Sequence, residues 1–261
     1  MYDLEKYPFR RGISLFYHFY AWYNRDMIEV QNVTHKYGDK KALDNVSFTV
    51  EDGSIFAFIG HNGAGKTTLI KAMCGILDYD QGEILINGKS IRSNPLECKK
   101  EMAYVPDDPG LYEEMKAIDY INFVCDMYAV PAEMRKRNIT RLAKMFDMEK
   151  ELMSEIRSFS HGMKQKVALI SALAHEPKVL VMDEPFVGLD PKAIFDMKGI
   201  MREMVSRGGT IFFSTHILDV AEKLCDKVAI VKKGRIVKVG SMKQIRGDKS
   251  LEKVFLELEA K

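Results

Sequence analysis

The stretch that most restricts this chain is residues 54–70, SIFAFIGHNGAGKTTLI. Residues 55–59 (IFAFI) make a short uninterrupted apolar run, with the length and composition of a buried strand. Gly60, His61, Asn62, Gly63, Ala64, Gly65, Lys66 and Thr67 then match the P-loop pattern, and Thr68 runs on into a helical segment. Glycines let a backbone turn tightly and aim its N–H groups inward. The helix N-terminus adds the positive end of its dipole beneath the phosphates. Lys66 is placed to reach the β- and γ-phosphates, and the Thr67 hydroxyl is an oxygen ligand that suits Mg²⁺. The stretch is expected to bind a nucleotide.

What surrounds it narrows the class. A chain of 261 residues holds one large α/β domain or two small ones. A net charge of +2 is too small to imply nucleic acid as a partner. Cys74, Cys98, Cys125 and Cys225 lie far apart without metal-ligand spacing, and read as reduced, mostly buried thiols. No apolar stretch approaches the roughly 20 residues that a membrane span needs. The N-terminus has no clean apolar core of a secretory signal.

Residues 1–26 are expected to form an extension distinct from the rest of the chain. Residues 9–23 (FRRGISLFYHFYAWY) crowd aromatics behind two arginines. Three readings stay open: an interfacial anchor, a docking segment for a membrane partner, or a poorly structured leader before a natural start at Met27. Residues 27–33 and 46–50 alternate like half-buried strands. Between them, Tyr37 sits in a turn where its ring is either a base-stacking platform or an ordinary surface tyrosine. Residues 82–87 read as a further strand, closed by the turn dipeptide Asn87-Gly88. Residues 95–157 carry apolar positions at helical spacing among many charges, a mostly helical insertion opening on the Pro/Asp/Gly loop of residues 102–111.

The second half supplies polar chemistry at element ends. Ser160 and Gly162 precede a long helical pattern, so this helix start can offer a hydroxyl and backbone N–H groups to an anion. Residues 179–182 form a buried apolar strand that delivers Asp183 and Glu184 at its C-terminal end, where ligands sit in parallel α/β sheets. A surface acidic pair would not be expected to end such a strand. Residues 191–205 read as a helix, and 210–214 as a strand ending at His216. Residues 227–232 and 235–239 read as a strand pair about the turn Lys233-Gly234, and 251–258 as a short amphipathic helix.

In order these features resemble the ATP-binding subunit of ABC transporters, over residues 27 to about 239. The specific element is Ser160-His161-Gly162-Met163 some twenty residues before Asp183-Glu184. The resemblance implies an α/β fold: a P-loop NTPase core with a mostly parallel sheet, an antiparallel β subdomain and a helical insertion. It places the ATPase domain at 27–240, the helical subdomain at about 95–157 and a C-terminal helical tail at 241–261. By the same resemblance, Tyr37 stacks on adenine and residues 60–68, through Thr68, hold the phosphates. Thr67 and Asp183 hold Mg²⁺, Glu184 polarises the attacking water, and His216 contacts the γ-phosphate. Ser160 and Gly162 contact ATP bound to a second copy, and Asp190 communicates across that dimer.

Two departures stand out. Asp107 occupies the position after Pro106 where the family usually has Gln. A carboxylate can meet Mg²⁺ or water, but it cannot donate a hydrogen bond and adds negative charge, which counts against Asp107 as a metal contact. The signature has Met163 in place of Gln, a form similar to that of bacterial exporter-type subunits. The implied function is an ATP-hydrolysing motor on the cytoplasmic face of the membrane, paired with a second ATPase subunit and a separate integral-membrane permease. The permease groove falls near residues 107–112. A non-transport ATPase of the same family, acting on a soluble macromolecular complex, is the alternative; neither fused ATPase halves nor long coiled-coil arms favour it. A GTPase would carry a guanine-reading Asn/Lys/Asp motif that the chain lacks.

Overall fold

Strand β3 (Ile55–Ile59) is buried along its whole length, and its side chains alternate between two cores. In the computed structural model, which describes residues 26–260, Phe56 and Phe58 enter one core while Ile55, Ala57 and Ile59 enter the other. A strand covered on both faces reads as a continuous apolar run, which is why residues 55–59 show no polar alternation. The aromatic-rich residues 9–23 lie outside the described residues.

The first core is roofed by an antiparallel sheet. β1 (Asp26–Tyr37), β2 (Lys40–Glu51), β4 (Gln81–Ile86) and β5 (Lys89–Ser90) assemble in the order β2-β1-β4-β5. Phe48 of β2 stacks on Phe56 at 5.1 Å and on Phe212 at 5.7 Å, binding this roof to the larger sheet. Such ring pairs contribute about 0.5–1.5 kcal/mol each beyond area burial. Helix α1 (Lys66–Met73) adds Leu69, Ile70 and Met73 to the same core. Asn87 and Gly88 both take positive φ, the geometry of a tight two-residue hairpin.

The larger sheet has the order β10-β9-β3-β8-β7-β6. It contains β6 (Met102–Val105), β7 (Val179–Met182), β8 (Thr210–Thr215), β9 (Lys227–Lys232) and β10 (Arg235–Ser241). All neighbours run parallel except the β9–β10 hairpin. Residues 102–105 thus enter the main sheet beside β7, after the short helix α2 (Pro95–Glu101). Helices α3 (Ala117–Met127) and α4 (Ala132–Met145) follow, and pack on α5 (His161–Leu173). Helix α6 (Pro191–Ser206) precedes β8, and α7 (Leu218–Leu224) precedes β9. The chain closes with α8 (Met242–Arg246) and α9 (Leu251–Glu259). All four cysteines are free and buried, in keeping with the sequence reading.

Candidate functional site

Parallel pairing puts four strand ends on one edge of the sheet. Ile59 is level with Thr215, Phe213 with Met182, and Met182 with Val105. The residues just beyond those ends are Gly60, His216, Asp183-Glu184 and Pro106-Asp107. The sheet register alone therefore gathers the phosphate loop, two carboxylates and a histidine that lie far apart in sequence.

Hydrogen bonds then fix their arrangement. Lys66 Nζ donates to the Gly60 carbonyl at 2.8 Å and the His61 carbonyl at 3.2 Å. The same Nζ stands 3.2 Å from Glu184 Oε1, an ion pair whose oxygen has no hydrogen-bonding donor of its own. Glu184 Oε2 accepts from the His216 backbone N–H at 3.2 Å and lies 3.0 Å from His216 Nδ1. Glu184 takes φ 47°, a left-handed conformation costly for a residue with a Cβ. Its own N–H, donated to Ser214 Oγ at 3.0 Å, helps hold it there. Strain of this kind concentrates at working sites, where the surroundings over-determine one side-chain position.

Ser214 is the residue that sequence reading missed. It is the penultimate residue of buried strand β8 and an ordinary small polar residue, yet its hydroxyl also donates to Asp183 Oδ1. One hydroxyl thereby orients both neighbouring carboxylate residues. Ser214→Ala leaves two buried polar groups short of a partner, which costs about 1–3 kcal/mol. Denaturant unfolding should show that loss, together with slower nucleotide turnover; wild-type stability would contradict this network.

The phosphate loop is buttressed from outside as well. Gly65 caps α1 at φ 108°, and Gly234 of the β9–β10 turn donates its N–H to the Ala64 carbonyl at 2.9 Å. A Cβ at Gly234 would lie 2.6 Å from the Ala42 carbonyl oxygen, in a backbone conformation of φ +78°. Gly234→Ala is expected to lower stability by about 1–3 kcal/mol. It should also weaken nucleotide binding, because relieving the clash with Ala42 shifts the turn whose N–H holds the Ala64 carbonyl; unchanged affinity in a titration would refute that coupling.

A second cluster forms around α5. Ser160 is its N-cap, accepting from Met163 N at 3.3 Å. A Cβ at Gly162 would lie 2.7 Å from the Gly188 carbonyl oxygen, so the helix start and the loop before α6 meet backbone to backbone. Asp190 caps α6 by accepting from Ala193 N at 2.8 Å, and pairs with Lys166 of α5 at 3.0 Å. Those two contacts, the backbone one foremost, hold its carboxyl below the usual carboxylate range. Among the described residues, no hydrogen bond or ion pair joins residues 160–163 to residues 60–68.

Of the remaining candidates, Tyr37 lies on the antiparallel sheet, while Asp107 lies at the strand ends near Asp183 and Glu184. Tyr37 is exposed at the end of β1, its ring edge-on to His35 at 4.7 Å. Asp107 follows β6, and Asp183 N donates to the Val105 carbonyl at 2.9 Å just before it. Partial desolvation, then the charges of Asp183 and Glu184, push the Asp107 carboxyl above its ordinary range. Thr67 lies in the first turn of α1 with Thr68 next to it, while Asn62 and Gly63 form the exposed crest of the loop. Among the described residues, no three His, Cys, Asp or Glu side chains converge as metal ligands. The oxygens of Thr67 and buried Asp183 still fit a Mg²⁺ that draws its other ligands from phosphate and water.

Comparison with known proteins adds independent findings. Residues 43–187 match the family described as ABC transporter. The chain is 36% identical over 237 residues to the ABC-type transporter ATP-binding protein EcsA of Bacillus subtilis (strain 168), covering 89% of this chain and 96% of that one. It is 31% identical to the Nod factor export ATP-binding protein I of Burkholderia orbicola (strain AU 1054), over 82% of this chain and 70% of that one. A solved structure described as the ATP binding subunit of an ABC transporter superposes with TM-score 0.86 at 36% identity, covering 89% of this chain and 99% of its own.

Proposed function

Because this chain belongs to the ABC transporter family as an ATP-binding, ATP-hydrolysing subunit, we propose that two copies close around two ATP molecules and drive a separate membrane permease in the export direction. The observation that carries this reading is the division of the site. One chain holds a phosphate loop wired to Glu184 and His216, and a helix start at Ser160 that is not wired to its own loop. Such halves complete one another when two chains face head to tail, with Ser160 and Gly162 of one copy against the phosphates held by the other. The second subunit is either an identical copy or a relative with the same motifs.

Within each site the roles follow from position. Gly60 to Thr68 cradle the phosphates, and Lys66 exchanges its carbonyl and carboxylate partners for phosphate oxygens. Glu184 then keeps its contact with His216 and is free to accept a proton from an attacking water. His216 stands beside the γ-phosphate, and Tyr37 offers its exposed ring to the adenine. Thr67 and Asp183 would hold Mg²⁺, which supplies charge neutralisation on the β- and γ-phosphates. Asp107 adds a negative charge there and fits the loop's hinge better than the metal. Phosphoryl transfer to water needs this positioning and neutralisation more than covalent help.

The route to the membrane starts at the same loop. Tyr112 is 59% exposed and packs edge-on against Tyr120 and Phe123, an open aromatic patch at the head of α3. Glu113 pairs with Lys164 of α5, and its carbonyl accepts from Arg157 N at 2.9 Å. A permease segment pressing on Tyr112 would thus act on Asp107 on one side and on the Ser160 helix on the other. Among the described residues, no helix is long and apolar enough to cross a membrane, so the membrane path falls to the partner. Export is favoured by the named export relative and by the His161-Gly162-Met163 signature. Affinity purification from detergent-solubilised membranes of the host should recover a stoichiometric multi-span protein. Recovery with ribosomal or DNA-associated proteins instead would overturn the transport reading.

A further inference from the structure

We propose that the terminal helix α9 braces the phosphate loop through His61, with Phe255 and Glu259 as positioning residues for nucleotide binding. The proposal rests on the reading of residues 60–68 as the ATP phosphate cradle.

α9 is firmly part of the body of the protein. Leu251, Val254 and Phe255 are buried in the core beneath the larger sheet. Ser250 caps its start, and Leu251 N donates to Glu222 Oε2 at 2.8 Å. At its other end, Lys232 Nζ donates to the carbonyls of Leu258 at 3.2 Å and Glu259 at 2.8 Å. A cation on the last carbonyls of a helix satisfies orphan acceptors and suits the negative end of its dipole. The helix is therefore pinned at both ends, which lets it serve as a rigid support.

The last two turns of α9 meet the phosphate loop. The Phe255 ring lies 5.0 Å from the His61 ring at 66°, an edge-to-face contact. Glu259 Oε2 stands 3.7 Å from His61 Nε2. The side chain of His61 is otherwise largely exposed, at 67%. Its backbone carbonyl, however, accepts from both Lys66 Nζ and Ala64 N, at 3.2 and 3.1 Å. Fixing the His61 ring therefore fixes the peptide against which Lys66 is set. Lys232 also lies just before the turn whose Gly234 supports Ala64. The loop is thus held on its His61 side by α9 and on its Ala64 side by the hairpin.

The test uses the full chain with Phe255→Leu, which keeps apolar volume in the core but removes the ring, and Glu259→Gln. Each is also placed in a His61→Ala background. Binding of a fluorescent ATP analogue gives Kd, ATP turnover gives KM and kcat, and thermal unfolding monitors the fold. In the His61 chain, each variant should raise Kd and KM roughly three- to tenfold, the scale of one lost aromatic or polar contact. The kcat should stay close to wild type; the melting temperature should hold for Glu259→Gln and fall modestly for Phe255→Leu, whose ring is buried in the core, with the chain still folded at the assay temperature. In the His61→Ala background neither variant should weaken binding further. Unchanged Kd in well-folded variants, or losses that persist without His61, would overturn the brace while leaving the ATP reading intact. A wild-type chain that does not bind ATP would overturn both.

Discussion

Lys66→Ala is expected to raise the dissociation constant for ATP by about 30- to several-thousand-fold, the equivalent of roughly 2–5 kcal/mol for removing one partner of a buried charge pair. Two effects combine. The triphosphate loses the ammonium that is already poised at the mouth of the loop, held by the Gly60 and His61 carbonyls. Glu184 also loses the cation beside its otherwise donor-less oxygen, so an unpaired carboxylate faces the incoming phosphates. Titration with an ATP analogue measures the loss, and near-normal binding or turnover would refute the assignment of the loop. Because Lys66 sits in the first turn of α1 and alanine favours helices, the fold itself should survive.

Glu184→Gln is expected to separate binding from chemistry. Glutamine has the same shape, keeps an oxygen to accept from the His216 N–H, and meets the left-handed backbone at 184 with the same Cβ. It cannot pair ionically with Lys66 or accept a proton from water. ATP affinity should therefore hold or improve while turnover falls about 10²–10⁴-fold, the usual contribution of a general base. Single-turnover kinetics would show it. Substantial hydrolysis by this variant would move the base elsewhere, and Asp107 would be the first residue to test.

The sheet and the site were legible in the sequence to different depths. The buried run at 55–59, the glycine-rich turn and the Asp-Glu strand end each carry local signals, because a two-sided strand and a phosphate turn restrict residue type at every position. The antiparallel roof was visible through alternation and through Asn87-Gly88. Ser214 was not singled out, and Gly234 was read only as a hairpin turn, not as a support of Ala64. Their roles arise from strands and turns brought together over 30 and 170 residues of chain, and neither residue type signals a partner in advance. Likewise 251–258 reads as an amphipathic helix, but nothing local says that its far end meets His61. The left-handed φ at Glu184 is not announced by its residue type: Pro185 after it disfavours the right-handed helical region, and the His216 and Ser214 contacts help hold the conformation adopted.

The shared-site dimer is decided by the molar mass of Glu184→Gln in solution, measured by light scattering with and without ATP and Mg²⁺. The variant should be a monomer without nucleotide and should double in mass with it. Adding Ser160→Asp, which preserves the helix cap but sets a negative charge against the partner's phosphates, should return the mass to that of the monomer. A protein that binds ATP and stays monomeric, or one that dimerises equally well with Asp at position 160, would contradict a site completed by Ser160 of a second chain.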